Sequence, residues 1–368
     1  MQPDGRSREG WTRREFVRGA AGLVSLPYLP SPSPGFAYVA SGEGAVHVFL
    51  MQGERWTRIQ RVSSSAPACV LLSPSQQTLY VANEVEAHEG LPRGTVEVFR
   101  VDPLDGRLTR SSRRALSLSA ARPRHMAISP DGKMLAVAAY SGGIYNLFSV
   151  AEDGSLGQPG GIFKDVGCGD DPQLQGAAHP HSLLFDPSGR HLVASDFGSD
   201  RLSVFVVEGG RLQRLAQRPT GRGSGPGATV LHPGGSLFYA WHEMESTLAC
   251  YRYDAISGTV GEAIQKLPFP RSSAGALAMH PSGRRLYTSQ GVWQIDGGSG
   301  RLTRTEHLLP NATQISAAPD GGSVYILDGG TGSIYQLPAD RVTGELHSKT
   351  RVALVSEPKS IAIRTRSG

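Results

Sequence analysis

Along this chain, apolar and polar residues alternate over short runs that break at Pro, Gly, Asp or Ser, and no window holds apolar residues at sustained helical spacing. That pattern predicts many short strands joined by tight turns, with no helical layer. The stretch "LLFDPSGRHLVASDFGSDRLSVF", Leu183 to Phe205, shows the unit: strand, turn, strand, turn, strand. The same unit returns as "VLLSPSQQTLYVANE" from Val70, "MAISPDGKMLAVAAY" from Met126, "TVLHPGGSLFYAWHE" from Thr229, "LAMHPSGRRLYTSQG" from Leu277 and "ISAAPDGGSVYILDG" from Ile315. Proline presets the first corner of each turn, and Asp-Gly or Ser-Gly supplies the residues that turn most easily.

The anchoring prolines are Pro74, Pro130, Pro187, Pro233, Pro281 and Pro319, spaced by roughly 40 to 60 residues, which suits one four-stranded propeller blade each. Most units close on a second turn signal, such as "DPLDGRL", "AEDGSL" or "DRVTGEL", before an outer strand. Six anchors leave one blade to find. "FAYVASGEGAVHVF" at 36–49 has two strands without an anchor, and "EPKSIAIR" at 357–364 is a lone strand. Joining them in one blade closes a ring and hides what would otherwise be an exposed edge. The expected fold is therefore all-β, a seven-bladed β-propeller closed between the N-terminal strands and the C-terminal strand. The unit after Pro281 runs on as "YTSQGVWQID" and predicts a blade short at one hairpin.

Composition narrows the function classes. Gly 46 and Pro 25 fit a turn-rich β fold. Net charge is +5, basic residues are scattered and aromatics make up 7%, so no nucleic-acid surface is expected. No run of about 20 apolar residues predicts a membrane span. Cys69, Cys168 and Cys250 are odd in number and widely spaced, which is neither a disulfide framework nor a zinc site; one pairing among them stays open. No set of His, Asp, Glu and Cys has metal-ligand spacing, so neither a metal nor another cofactor is expected. Cys168 lies in a Gly- and Asp-rich loop and reads as inert. A monomer is expected.

The N-terminus reads "TRREFVRGAAGLVSLPYLPSPSPG", with Arg13 and Arg14 ahead of Phe16 and a short apolar run. This is the pattern of a twin-arginine (Tat) export signal, which carries proteins out already folded. Residues 1–34 are assigned to signal and linker, residues 35–368 to the propeller, and the location to the periplasm or the outside of the cell. Removing residues 1–34 lowers the net charge to +3.

Three segments carry a family resemblance. "PRHMAISPDGKMLAVAAYSGG", "GCGDDPQLQGAAHPHSLLFDPSGRHLVASDFGSDRLSVF" and "GSGPGATVLHPGGSLFYAWHEMEST" resemble the propeller lactonases, the family of bacterial 6-phosphogluconolactonases and fungal carboxymuconate-lactonising enzymes. The resemblance spans residues 36–364 and implies a site in the axial pocket, where a histidine, a glutamate and several arginines meet an acidic or phosphorylated ring substrate. By position it assigns His181 and Glu243 as the catalytic pair; His179, His125, Arg124 and Gln175, which lie in or beside these segments, are the substrate-binding candidates. The departures are specific. The family's Gly-Pro-Arg-His reads Gly225-Pro226-Gly227-Ala228, its Arg-Gln reads Leu174-Gln175, its Asn-Arg-Gly reads Ser289-Gln290-Gly291, and its last Pro-Arg falls near Ala312-Thr313. Four expected arginines are missing; Arg122 and Arg124 stand near the pocket mouth.

Lactone hydrolysis needs a base for water and donors for the developing oxyanion, and His181 or Glu243 suits the first task. Cationic side chains recognise phosphate, so their loss argues against a phosphorylated substrate. The sequence therefore points to a hydrolase of a sugar-type or other neutral lactone. The alternative is a non-catalytic extracytoplasmic propeller that binds a ligand or protein, with 6-phosphogluconolactonase activity itself placed behind both. Glu84 in "YVANE", matching Glu243 in "YAWHE", reads as part of the repeat. His179 reads as structural, and Asp196 and Asp200 as turn residues.

Overall fold

The computed structural model describes residues 35–270, 275–306 and 312–365, and they form strands and turns with no helix. Residues 1–34, with Arg13 and Arg14, lie outside the described part. The strands are β1 Gly35–Ser41, β2 Ala45–Gln52 and β3 Arg55–Ser63 in blade 1, then β4 Pro67–Leu72, β5 Thr78–Asn83, β6 Thr95–Val101 and β7 Leu108–Ala115 in blade 2. Blade 3 holds β8 Ala121–Ile128, β9 Met134–Ser141, β10 Ile144–Val150 and β11 Leu156–Lys164. Blade 4 holds β12 Pro180–Phe185, β13 His191–Asp196, β14 Arg201–Glu208 and β15 Arg211–Pro219. Blade 5 holds β16 Pro226–Leu231, β17 Leu237–His242, β18 Thr247–Asp254 and β19 Thr259–Pro268. Blade 6 holds β20 Leu277–Met279, β21 Arg285–Thr288, β22 Gly291–Ile295 and β23 Leu302–Glu306. Blade 7 holds β24 Ala312–Ala317, β25 Ser323–Asp328, β26 Ser333–Pro338 and β27 Thr350–Leu354, and β28 Pro358–Arg364 returns to blade 1.

Every blade is a four-stranded antiparallel sheet, and blade 1 has the order β28-β1-β2-β3. The expected closure is present: Phe36 pairs with Arg364 and Val39 with Ile361. The first strands β28, β4, β8, β12, β16, β20 and β24 each touch the next, which makes the inner wall of a ring. The second strands are buried on both faces, because alternate residues serve opposite seams. In β5, Leu79 and Val81 pack toward blade 1, while Tyr80 and Ala82 pack toward blade 3. Seven apolar clusters fill the seven seams, so the core is a ring of interfaces between neighbouring sheets.

The proline turns are as expected. Gly132 N donates to Ser129 O at 2.8 Å and Gly189 N to Asp186 O at 2.9 Å, with both glycines at positive φ. Blade 6 is the short one: the two-residue turn Ser289-Gln290 joins β21 to β22, yet all four strands survive. Asp196 and Asp200 are turn residues. Asp196 Oδ1 accepts from the backbones of His179 and Ser199, and Asp200 from those of Gly223 and Gly225. None of the three cysteines is paired; Cys69 and Cys250 are buried, and burial pushes both thiols up to about 11.

Candidate functional site in the axial well

Inner strands deliver side chains to the axis through one repeated irregularity. In blade 2, Pro67 pairs with Asn83 and the next pair is Cys69 with Ala82, which leaves Ala68 extra. The same bulge leaves Arg124 extra in blade 3, His181 in blade 4, Thr313 in blade 7 and Lys359 in blade 1. In blade 5 it falls between Pro226 and Thr229 and includes Gly227. Proline tolerates this place because its missing N–H is needed least where the ladder is interrupted, and a bulge re-aims the side chain that follows. The second contribution comes from the residue just past each second strand: Glu84, Tyr140 near the end of β9, Phe197 and Glu243 in blades 2 to 5.

His181 and Glu243 meet. Nε2 of His181 is 3.2 Å from Oε1 of Glu243, with side chains 20% and 38% exposed. Nδ1 of His181 is buried and has no hydrogen-bond partner among the described residues. Since one ring nitrogen is engaged and the other enclosed, the carboxylate is the more accessible base of the pair. Desolvation pushes the Glu243 carboxyl up, but the hydrogen bond and charge of His181, with Arg124 behind them, outweigh it and hold the group below its ordinary value.

Around this pair lies a stack that sequence reasoning missed. The Arg124 guanidinium carbon sits 3.9 Å from the Tyr140 ring centroid, and the His179 ring lies 4.4 Å from it at an interplanar angle of 5°. Two groups so close to one centroid must occupy opposite faces, so Tyr140 is held between them, and His181 meets its edge at 6.3 Å. Nδ1 of His179 donates to the Tyr140 carbonyl at 3.0 Å, which fixes His179 as a support for the stack. Burial pushes the Tyr140 hydroxyl up, so it stays protonated and can donate. A comparison of blade ends reveals the signal for Tyr140: it occupies the place that Glu84 and Glu243 hold in their blades.

Glu84 also does more than repeat a pattern. Its Oε1 is 3.1 Å from Arg122 and 3.0 Å from Nε of Arg124, so both arginines expected near the pocket mouth are ion-paired. Arg122 holds φ at 52°, and its Nε also reaches Glu86 at 3.4 Å. His125 lies behind His181, where Leu183 N donates to its Nδ1 at 3.4 Å. Burial, aided by the nearby His181, pushes its imidazole down to about 4, so it is neutral near pH 7.

Gln175 is the candidate the structure withdraws from the well. It is fully buried, and its Nε2 donates to Phe197 O at 2.8 Å and to Asp200 Oδ1 at 2.7 Å. The amide sits where it ties the long loop before β12 to the turn after β13, out of reach of a ligand. Among the described residues, no cluster of His, Cys, Asp and Glu could hold a metal ion.

Known proteins share this architecture. The 6-phosphogluconolactonase of Pectobacterium carotovorum is 27% identical over 348 residues, covering 89% of this chain and 97% of its own. The Bacillus subtilis protein of the same name is 24% identical over 294 residues, covering 76% of this chain and 82% of its own. The solved periplasmic gluconolactonase of Pseudomonas aeruginosa matches in fold with a TM-score of 0.79 at 24% identity, over 90% of this chain and 99% of that one. The family described as "Lactonase, 7-bladed beta-propeller" matches residues 37–363, the whole ring from blade 1 to its closing strand. This chain belongs to the seven-bladed β-propeller lactonase family.

Proposed function

We propose that the protein hydrolyses a neutral, sugar-type lactone in the axial well, with Glu243 and His181 as the working pair. The observation that carries this reading is the 3.2 Å contact between them at the mouth of a ring of inner strands. In the proposed step, Glu243 takes a proton from water as the water oxygen adds to the lactone carbonyl. The Tyr140 hydroxyl, which burial keeps protonated on a ring that His181 meets edge-on, serves as a donor to the oxyanion. The ring C–O bond then breaks, and the departing alkoxide recovers the proton from Glu243, leaving the open hydroxy acid. His181 holds the carboxylate in place and keeps it ionised.

Relatives named 6-phosphogluconolactonase support a sugar lactone as the substrate class. The phosphorylated form is the weaker reading, because Arg122 and Arg124 are already paired with Glu84 and phosphate recognition calls for cationic donors that are free. A neutral substrate also fits the proposed export, with residues 1–34 as a twin-arginine signal and residues 35–368 as the propeller working outside the cytoplasm.

The test is turnover. Purified protein should hydrolyse D-glucono-1,5-lactone above the spontaneous rate and above its rate on the 6-phosphate, and Glu243→Gln should lower kcat by about 10² to 10⁴. No excess over spontaneous hydrolysis for any lactone, together with a lactone-dependent rise in Tm, would replace this reading with the non-catalytic binding propeller.

A further inference from the structure

Gly227 occupies the bulge of blade 5, the place where blade 3 presents Arg124 and blade 4 presents His181. Its φ is not in the positive region, so the backbone there suits any residue. What glycine supplies is room. A Cβ on Gly227 would lie 2.2 Å from Oε1 of Glu243, 2.7 Å from its Cδ and 2.8 Å from its Cγ. The oxygen it would strike is the one that contacts His181. No real Cβ tolerates such distances, and the atoms in the way belong to a flexible, partly exposed side chain rather than to backbone. Any side chain at 227 therefore expels the Glu243 carboxylate from its seat while sparing the fold.

We propose that Gly227 is the positioning residue of the site: its bare backbone is what lets Glu243 lie against His181. The proposal rests on the reading of that pair as the catalytic one, and it deepens it toward substrate class. On this backbone, a long side chain at 227 and the Glu243–His181 contact exclude each other. The blade 5 wall consequently offers a carboxylate where a cation could have stood, and a lactone bearing its own anionic group meets like charge there. The site accordingly favours lactones without an anionic substituent.

The experiment compares wild type, Gly227→Ala, Glu243→Gln and the double variant, with D-glucono-1,5-lactone as probe, and adds a crystal structure of Gly227→Ala. The Ala variant is expected to keep its Tm within a few degrees. Its kcat should fall by at least about tenfold with KM changed by less than about threefold, the pattern of lost transition-state stabilisation. Its acid limb should move to higher pH, because a carboxyl parted from His181 ionises less readily. In the Glu243→Gln background, the Ala substitution should cost nothing further. Wild-type kcat and acid limb in Gly227→Ala, or losses that add in the double variant, would overturn the proposal. Should the wild type hydrolyse no lactone, the proposed function fails, and the crystal structure still decides this point: a His181–Glu243 separation beyond about 4 Å upholds the role of Gly227, and an unchanged contact overturns it.

Discussion

A histidine and a glutamate more than sixty positions apart in sequence meet at 3.2 Å, because the bulge in β12 and the end of β17 face the same axis. His181, Glu243 and Arg124 were legible in the sequence since each sits in a stretch with a family counterpart. Tyr140 was not, because "AAY" holds no residue type that announces chemistry; only the Arg124 and His179 faces around it give it a role. Gln175 misled for the opposite reason: its place beside the His-x-His suggested the pocket, whereas a loop this long needs an internal tie, and the amide provides it. His125 permits a prediction about stability. Unfolded, its imidazole takes up a proton below about pH 6.5; folded, it does so only near about 4. Between those values the unfolded chain binds more protons, so stability falls as pH drops through the window, by on the order of 2 kcal/mol for a ring with a partly solvated edge. His125→Gln should flatten the decline of Tm between pH 7 and pH 4.5 relative to wild type, and an unchanged slope would assign the acid lability to other groups.

At the scale of the element, blades are latched to one another by a tyrosine and a glycine. Tyr38 donates its hydroxyl to Gly106 O at 3.0 Å, Tyr80 to Gly154 O at 2.9 Å, Tyr239 to Gly300 O at 3.0 Å and Tyr287 to Gly344 O at 2.6 Å. In each case a second strand reaches the outer hairpin of the following blade. Both partners stand in the repeat, as the Tyr of "LYVAN" and the Gly of "EDGSL", yet 57 to 74 residues separate them, so the sequence displayed the parts without the joint. Tyr80→Phe removes the donor and strands a carbonyl, which should cost about 1–2 kcal/mol. Tyr145 is the contrast, since its buried hydroxyl has no partner among the described residues. Tyr145→Phe should be neutral or stabilising, and urea unfolding of the two variants checks both signs. The inner-strand bulges were invisible beforehand, because one extra residue in six leaves the apolar alternation almost intact.

For the whole molecule, seven repeats and their closure followed from spacing and from the two orphan segments, because the lone C-terminal strand supplies the inner strand that the first blade lacks and so closes the ring. The location outside the cytoplasm is a separate claim resting on Arg13 and Arg14. Replacing both by Lys should leave the full-length chain in the cytoplasmic fraction, and undiminished export would refute the twin-arginine reading. The pairing of Phe36 with Arg364 has a practical consequence. Because β1 runs toward the end of the ring that carries His181 and Glu243 and β28 runs away from it, the first and last described residues sit side by side on the opposite face. A surface linkage, fluorescent tag or fused domain joined directly at residue 35 or residue 365 would thus start from the side away from His181 and Glu243.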